Sequence, residues 1–258
     1  MFAAVSLQLP IPDPQQIVGF ALILTRVGAA LSLTPVISGK TIPLKLKAII
    51  AIALTLFTLP LVPVPAELAA VPLPELFILM LREAVIGLAI GLALGAIVAA
   101  WSLGGAVIDI ITGFSYGGVI DPQYGNQSSI LQQLYVLLAG VIFITVGGEQ
   151  WLISATVGSF QKLPLGAAIN PADFLELALA VITTVFITGL GVIAPLLIAL
   201  LVTDAAFGLI ARAAPQTQVM QLEFPAKIAV ALFLLVATLP WMVPYFVRSS
   251  THLLGLIF

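Results

Sequence analysis

The sequence contains no cysteine and a single histidine, His252, and it is poor in charge: 9 Lys+Arg and 11 Asp+Glu among 258 residues, or 8%. Without cysteine the chain forms no disulfide, holds no thiolate-bound metal and has no Cys nucleophile. One histidine near the carboxyl end leaves no plausible zinc site and no nucleophile–His triad. No glycine-rich loop ends in a lysine, as a phosphate-cradling loop would. Nine cations against eleven anions, a formal net charge of −2, cannot build the basic stripe of a nucleic-acid-binding surface. No cofactor, no metal and no enzymatic chemistry are therefore expected.

What is present is apolar mass, 61% hydrophobic residues with a mean hydropathy of +1.23. A soluble domain is about 25% charged, so this chain has too little polar surface to cover a water-exposed globule. It reads as an all-α integral membrane protein, a single membrane domain over 1–258. Charge-free stretches are clearest at Ala48–Ala66, Ala84–Ile108, Leu177–Thr203 and Ile228–Val247. With two less clean candidates, about six hydrophobic segments are expected at 15–37, 46–63, 76–103, 130–147, 174–203 and 226–247. At ~1.5 Å per residue Ala84–Ile108 reaches about 38 Å, beyond the ~30 Å hydrocarbon core, so some helices tilt, bend or protrude. Trp151–Phe160 is too short to cross alone and suits a re-entrant or interfacial turn. No Lys or Arg precedes the first segment and no small-residue cleavage site follows it, so it is not read as a cleaved signal peptide. Lys40, Lys45, Lys47, Arg212 and Lys227 on one side, against Lys162 and Arg248 on the other, place both termini outside the cytoplasm.

Proline and glycine argue against plain cylinders. Pro35, Pro195, Pro240 and Pro244 fall within or at the ends of apolar runs, where each removes a backbone N–H and bends the helix. Gly87, Gly91 and Gly95, continued by Ala99, form a small-residue ridge that lets a neighbouring backbone come close, within the chain or from another subunit. Arg26 is the one charge well inside a segment; it either snorkels or pairs locally, or marks a subunit contact. Asp109, Asp121, Glu149, Asp204 and Glu223 lie at or beyond the ends of apolar runs. They suit interfacial or loop positions, with a proton or cation path as the alternative.

The stretch 104–129, GGAVIDIITGFSYGGVIDPQYGNQSS, contains no Lys or Arg. An exposed loop is polar, whereas Val107, Ile108, Ile110, Ile111, Phe114, Val119 and Ile120 need cover, so this loop is expected to be buried. Gly113, Gly117 and Gly118 around Phe114-Ser115-Tyr116 allow a tight non-helical path. Irregular apolar backbone at membrane depth lines or closes a cavity; a hairpin turn buried against the chain's own helices is the alternative.

At this loop the chain resembles the FliR family, the flagellar type III export-gate subunit, with its injectisome relatives. Four stretches carry the similarity. The first is Leu24-Thr25-Arg26-Val27-Gly28 with Pro35-Val36 and Ile42-Pro43. The second is Gly113-Phe114-Ser115 with Asp121-Pro122-Gln123-Tyr124-Gly125 and Ser128. Gly147-Gly148, Trp151-Leu152-Ile153, Ser159-Phe160 and Leu163-Pro164-Leu165-Gly166 form the third. The fourth is Arg212-Ala213-Ala214-Pro215-Gln216 with Phe224-Pro225-Ala226-Lys227. Each motif alone is weak; their order and spacing carry the match. The chain departs from the common pattern at Glu149, Gln218 and Glu223.

The resemblance implies kinked helical hairpins forming part of a helical hetero-oligomeric portal in the bacterial inner membrane, at the flagellar basal body. It implies FliP-like and FliQ-like partners, FlhB-like and FlhA-like export components, unfolded export substrates in transit, surrounding lipid and no nucleic acid. Carried over residue by residue, the pore plug is Gly113, Phe114, Ser115, Tyr116, Gly117, Gly118, Val119 and Ile120, with Phe114, Tyr116 and Val119 as the occluding side chains. Ile110 and Ile111 support the loop, and Asp121-Pro122 set its exit turn. Arg26, Gly87, Gly91 and Gly95 are read as helix-packing or subunit contacts. A secondary transporter of a small solute or ion is the competing reading, on the strength of broken helices and carboxylates near apolar runs. No convincing internal repeat supports it.

Overall fold

The computed structural model of the chain describes residues 13–35, 37–39, 42–114, 130–168, 170–214 and 219–257, and every regular element among them is helical. Helix α1 spans Pro14–Leu33, α2 Leu44–Thr58, α3 Leu73–Thr112, α4 Ile130–Thr145, α5 Gly148–Lys162, α6 Pro171–Ala213 and α7 Val219–Ile257. Two short 3-10 turns, Leu59–Leu61 and Ala66–Ala70, join α2 to α3.

Local chemistry sets most helix ends. The Asp13 carboxylate accepts from Gln15 N at 3.3 Å and Pro14 follows it, a capped start with proline where no N–H is needed. Asn170 and Pro171 repeat the device for α6, the Asn170 side chain accepting from Ala172 N. Helix α1 stops at Thr34 ahead of Pro35, since a residue before proline avoids the helical region. Helix α3 ends on Gly113, whose φ of 85° a side chain would resist. Its N–H donates to the carbonyls of Asp109 and Ile110. Buried hydroxyls are satisfied within their own helices: Thr55, Thr112, Thr156 and Ser250 each donate to the carbonyl four residues back.

Helix α3 is the spine, packing against α1, α4, α6 and α7. Its fully buried Trp101 meets Tyr135 of α4 and Phe246 of α7 at ring-centroid distances of 6.2 and 5.5 Å. Helices α6 and α7 form an antiparallel hairpin in which Lys227 lies beside Asp204 and Tyr245 reaches the α6 backbone near Thr188. Pro195 lies within α6, and Pro225, Pro240 and Pro244 lie within α7, and both helices run on through them.

Five helices are long and apolar enough to cross a membrane. A sixth span exists if α4 and α5, bent by 69° across a short break, count as one. The expected segment at 130–147 ends at Thr145 and turns through Gly147, φ 78°, into α5. Three expected segments are too short. The helices run 73–112, 171–213 and 219–257 instead of 76–103, 174–203 and 226–247, because charges that end the apolar runs are held inside helices. Asp109 is buried in the last turn of α3, and Lys227 Nζ meets Asp204 Oδ1 at 2.7 Å and Glu223 Oε1 at 2.6 Å. The boundary of the 104–129 loop is corrected for the same reason: Gly104–Thr112 are the final turns of α3, and the helix stops only at Gly113.

Candidate functional site

The glycine ridge of α3 faces α1 of the same chain. A Cβ at Gly91 would lie 2.5 Å from the Ala30 carbonyl oxygen, one at Gly95 2.8 Å from that of Leu33, and one at Gly87 would overlap that of Arg26. The two backbones are thus in contact, and Gly87 and Gly91 are buried between them, whereas Gly95 is half-buried and Ala99 is exposed. Gly104 and Gly105 make further close approaches: a Cβ would come 2.7 Å from the Gly189 carbonyl oxygen of α6 and 2.7 Å from the Gln132 Cα of α4. Glycines that read as loop formers are packing contacts on a helix.

Arg26 is fully buried, and its charge is met within the chain. Its Nε donates to Glu83 Oε2 at 2.5 Å, and its terminal nitrogens donate to Ser159 Oγ and the Leu163 carbonyl, each at 3.0 Å. Glu83, equally buried, accepts a second bond from Gly166 N at 3.0 Å, and the Phe160 ring lies 4.0 Å from the guanidinium carbon. One ion pair therefore ties α1, α3, α5 and the turn after α5. Both carboxylate oxygens and three nitrogens are used, which offsets the cost of desolvating the charges. The stretches 24–28, 159–160 and 163–166 meet at this knot. Sequence reasoning missed Glu83; its only signal was a carboxylate adjoining the charge-free stretch that starts at Ala84.

The third arrangement is the stem of the loop that follows α3. Ile110 is 67% exposed, whereas Ile111 and Phe114 are partly buried and pack against the core. Gly113 provides the left-handed stop. Ser115, Tyr116, Gly117, Gly118, Val119, Ile120, Asp121 and Pro122 lie outside the described residues. The loop's stems are joined in the described part: Asp109 Oδ2 accepts from Gln132 N at 3.1 Å, and Gln132 Nε2 donates to Ser102 Oγ at 2.9 Å. Of the other carboxylates singled out, Asp204 and Glu223 pair with Lys227, and Glu149 is exposed in the first turn of α5.

No group of three or more His, Asp or Glu among the described residues could hold a metal ion. Buried polar groups fasten helices to one another, and this defines an integral membrane protein built by helix packing. More specifically, the chain belongs to the bacterial export proteins, family 1, whose model matches residues 17–253. It is 32% identical to the flagellar biosynthetic protein FliR of Escherichia coli (strain K12), over 91% of this chain and 88% of the relative. Identity to FliR of Bacillus subtilis (strain 168) is 29%, over 84% of each chain. For FliR of Caulobacter vibrioides it is 26%, over 85% of this chain and 87% of the relative. The chain is accordingly a membrane-embedded structural component of a flagellar export apparatus and not an enzyme.

Proposed function

We propose that this chain assembles with FliP-like and FliQ-like subunits into the flagellar export portal of the bacterial inner membrane, where unfolded flagellar proteins cross. FlhB-like and FlhA-like components complete the machinery. The observation that carries this reading is helix length combined with exposed apolar surface. Helices α3, α6 and α7 have 40, 43 and 39 residues, or about 60, 64 and 58 Å at 1.5 Å per residue, against a ~30 Å hydrocarbon core. Large apolar side chains stay exposed along α6 and α7, from Leu175 to Ile210 and from Leu222 to Val243. Such a surface outruns lipid and calls for protein neighbours. Family membership favours export over small-solute transport.

In this portal Gly113–Ile120 plugs the closed pore, with Phe114, Tyr116 and Val119 filling it, Ile110 and Ile111 supporting them, and Asp121-Pro122 turning the chain back. An apolar, cation-free segment excludes water and ions when packed in a narrow channel. The test is deletion of Gly113–Ile120 in a chain co-expressed with its partners. An assembled deletion complex is expected to leak ions across the membrane, and unchanged conductance refutes the plug. Purification of the chain as a monomer that moves a small solute in liposomes refutes the portal.

A further inference from the structure

A trough opens beside α3 where α1 comes to an end. Helix α1 covers Gly87 and Gly91 and stops at Leu33, so farther along the same face of α3 Gly95 is only half-buried and Ala99 is exposed. The trough has a volume of about 370 Å³, and Leu33 of α1, Leu92, Gly95 and Ala99 of α3, and Ile182 and Phe186 of α6 are among the residues that line it. Every lining residue is apolar. Water filling that volume would be about a dozen molecules, at ~30 Å³ each, with no side chain to bond. The trough therefore calls for an apolar occupant. Leu92 and Ala99 stand about 10 Å apart along α3 at 1.5 Å per residue, room for a run of methylenes.

Charges at the α1 end of the trough select among apolar occupants. Directly after Leu33 the chain folds back on itself, Ser38 N donating to Thr34 O at 2.9 Å. Lys47 Nζ reaches this turn and donates to the carbonyls of Ser38 and Gly39 at 2.9 and 3.1 Å. Lys45 is exposed and makes no hydrogen bond or ion pair among the described residues. Both lysines stand in the first turn of α2, which starts after Pro43 without a side-chain cap. A helix start disfavours cations and attracts anions, so two lysines there call for a negative group. The chain does not supply one nearby in sequence: there is no Asp or Glu from 14 to 66, from 84 to 108 or from 177 to 203, the segments that form the trough and the turn beside it.

We propose that the trough between the end of α1, α3 and α6 binds one phospholipid with a net negative head group: an acyl chain lies over Gly95 and Ala99, and the phosphate meets Lys45 and Lys47 at the start of α2. A zwitterionic lipid has the chain but a compensated head group, and the side of a neighbouring helix has apolar groups but no phosphate. The bound lipid fills the end of the glycine ridge that α1 leaves open and ties the α1–α2 turn to α6. The site belongs to the single chain, and its failure leaves the plug and portal readings where they stand. Each lysine beside an anionic head group strengthens binding about five-fold.

The test titrates the full-length chain, stripped of lipid in detergent, with phosphatidylglycerol or phosphatidylcholine and counts bound lipid by native mass spectrometry. One phosphatidylglycerol is expected to stay bound under conditions that remove phosphatidylcholine. Lys45→Gln should weaken it about five-fold, and Lys45→Gln with Lys47→Gln about twenty-five-fold. Ala99→Trp fills the trough and should abolish binding with both lysines in place. Lys47→Gln gives up two hydrogen bonds to the turn; if that variant does not fold, Lys45→Gln and Ala99→Trp decide the matter. In the complex formed with co-expressed partners, a photoreactive side chain at position 182 should capture lipid. Equal binding of the two lipids, undiminished phosphatidylglycerol binding in Lys45→Gln or in Ala99→Trp, or capture of a neighbouring subunit from position 182 overturns the assignment.

Discussion

Replacing Glu83 with alanine leaves the Arg26 guanidinium buried without its counter-ion and the Gly166 N–H without an acceptor. The remaining partners of Arg26, Ser159 Oγ and the Leu163 carbonyl, are neutral and already bonded. Breaking a buried ion pair from one side costs about 3–5 kcal/mol, because the surviving charge stays desolvated. For a chain of this size 1 kcal/mol moves the melting temperature by about 2–4 °C, so a fall of roughly 6–20 °C is expected. Glu83→Gln keeps one acceptor oxygen and should fall between wild type and Glu83→Ala. The double change Arg26→Met with Glu83→Leu removes both charges, and apolar pairs often replace buried ion pairs at little cost. It leaves the Leu163 carbonyl and the Gly166 N–H unpaired at about 1–3 kcal/mol each, so a loss remains, but one smaller than the sum of the losses from Arg26→Met and Glu83→Leu taken singly. Thermal unfolding of detergent-purified protein, followed through Trp101, Trp151 and Trp241 fluorescence, gives these values together with those of the single changes Arg26→Met and Glu83→Leu. A double variant as unstable as the sum of its single changes refutes the coupling, since contacting residues should show about 0.5–3 kcal/mol of non-additivity.

Further outcomes follow from the same packing. Gly91→Leu has to push α1 away from a backbone already in contact, so it should destabilise the isolated chain by at least about 1–3 kcal/mol; a melting temperature equal to wild type would show that α1 yields freely. Gly147→Val forces a β-branched residue into φ 78° at the α4–α5 bend, a strain of about 1–3 kcal/mol, and the same melt should register it. Expressed without partners, the chain should aggregate in detergent more than when co-expressed with FliP-like and FliQ-like subunits; size-exclusion profiles that match in the two cases would count against the portal.

The hydrophobic segments were legible because lipid selects for apolar runs, and helices lie at all six expected places. Their ends were not, for a physical reason that recurs at each error. A charge was taken to mark the water boundary, but Asp109 is held by the first turn of α4, and Asp204, Glu223 and Lys227 satisfy one another. Partners distant in sequence decide whether a charge ends a span. The same holds for Arg26, which reads as an anomaly until Glu83, 57 positions away, is placed beside it. Glycine misled in the other direction. Gly104 and Gly105 are compatible with a loop or with a close helix crossing, and only the positions of α4 and α6 decide between them. The ridge at Gly87, Gly91 and Gly95 was visible as periodicity, whereas the identity of its neighbour, α1, was not.

That neighbour changes where other subunits can bind. Helix α3 carries the tightest backbone contacts, but α1, α4, α6 and α7 of the same chain pack around it, so the ridge is used within the fold at Gly87 and Gly91. The unmet demand lies on the α6–α7 hairpin. Leu175 is 60% exposed and Leu209 68% exposed; their separation along α6 is about 51 Å at 1.5 Å per residue. A ~30 Å hydrocarbon slab covers only about 39 Å of a helix tilted by 40°, the upper end of what membrane helices adopt. Tilt alone therefore leaves roughly 12 Å of apolar helix outside the slab. Pro195 can redirect one half of α6 but shortens neither, and α7 runs alongside with Leu222, Phe233, Val236 and Trp241 exposed. Lipid can solvate the middle of such a hairpin, and the ends need apolar protein surface. The greasiness that first marks this chain as a membrane protein thus has two addressees, the bilayer and other subunits, and the second meets it at the hairpin rather than at the glycine ridge.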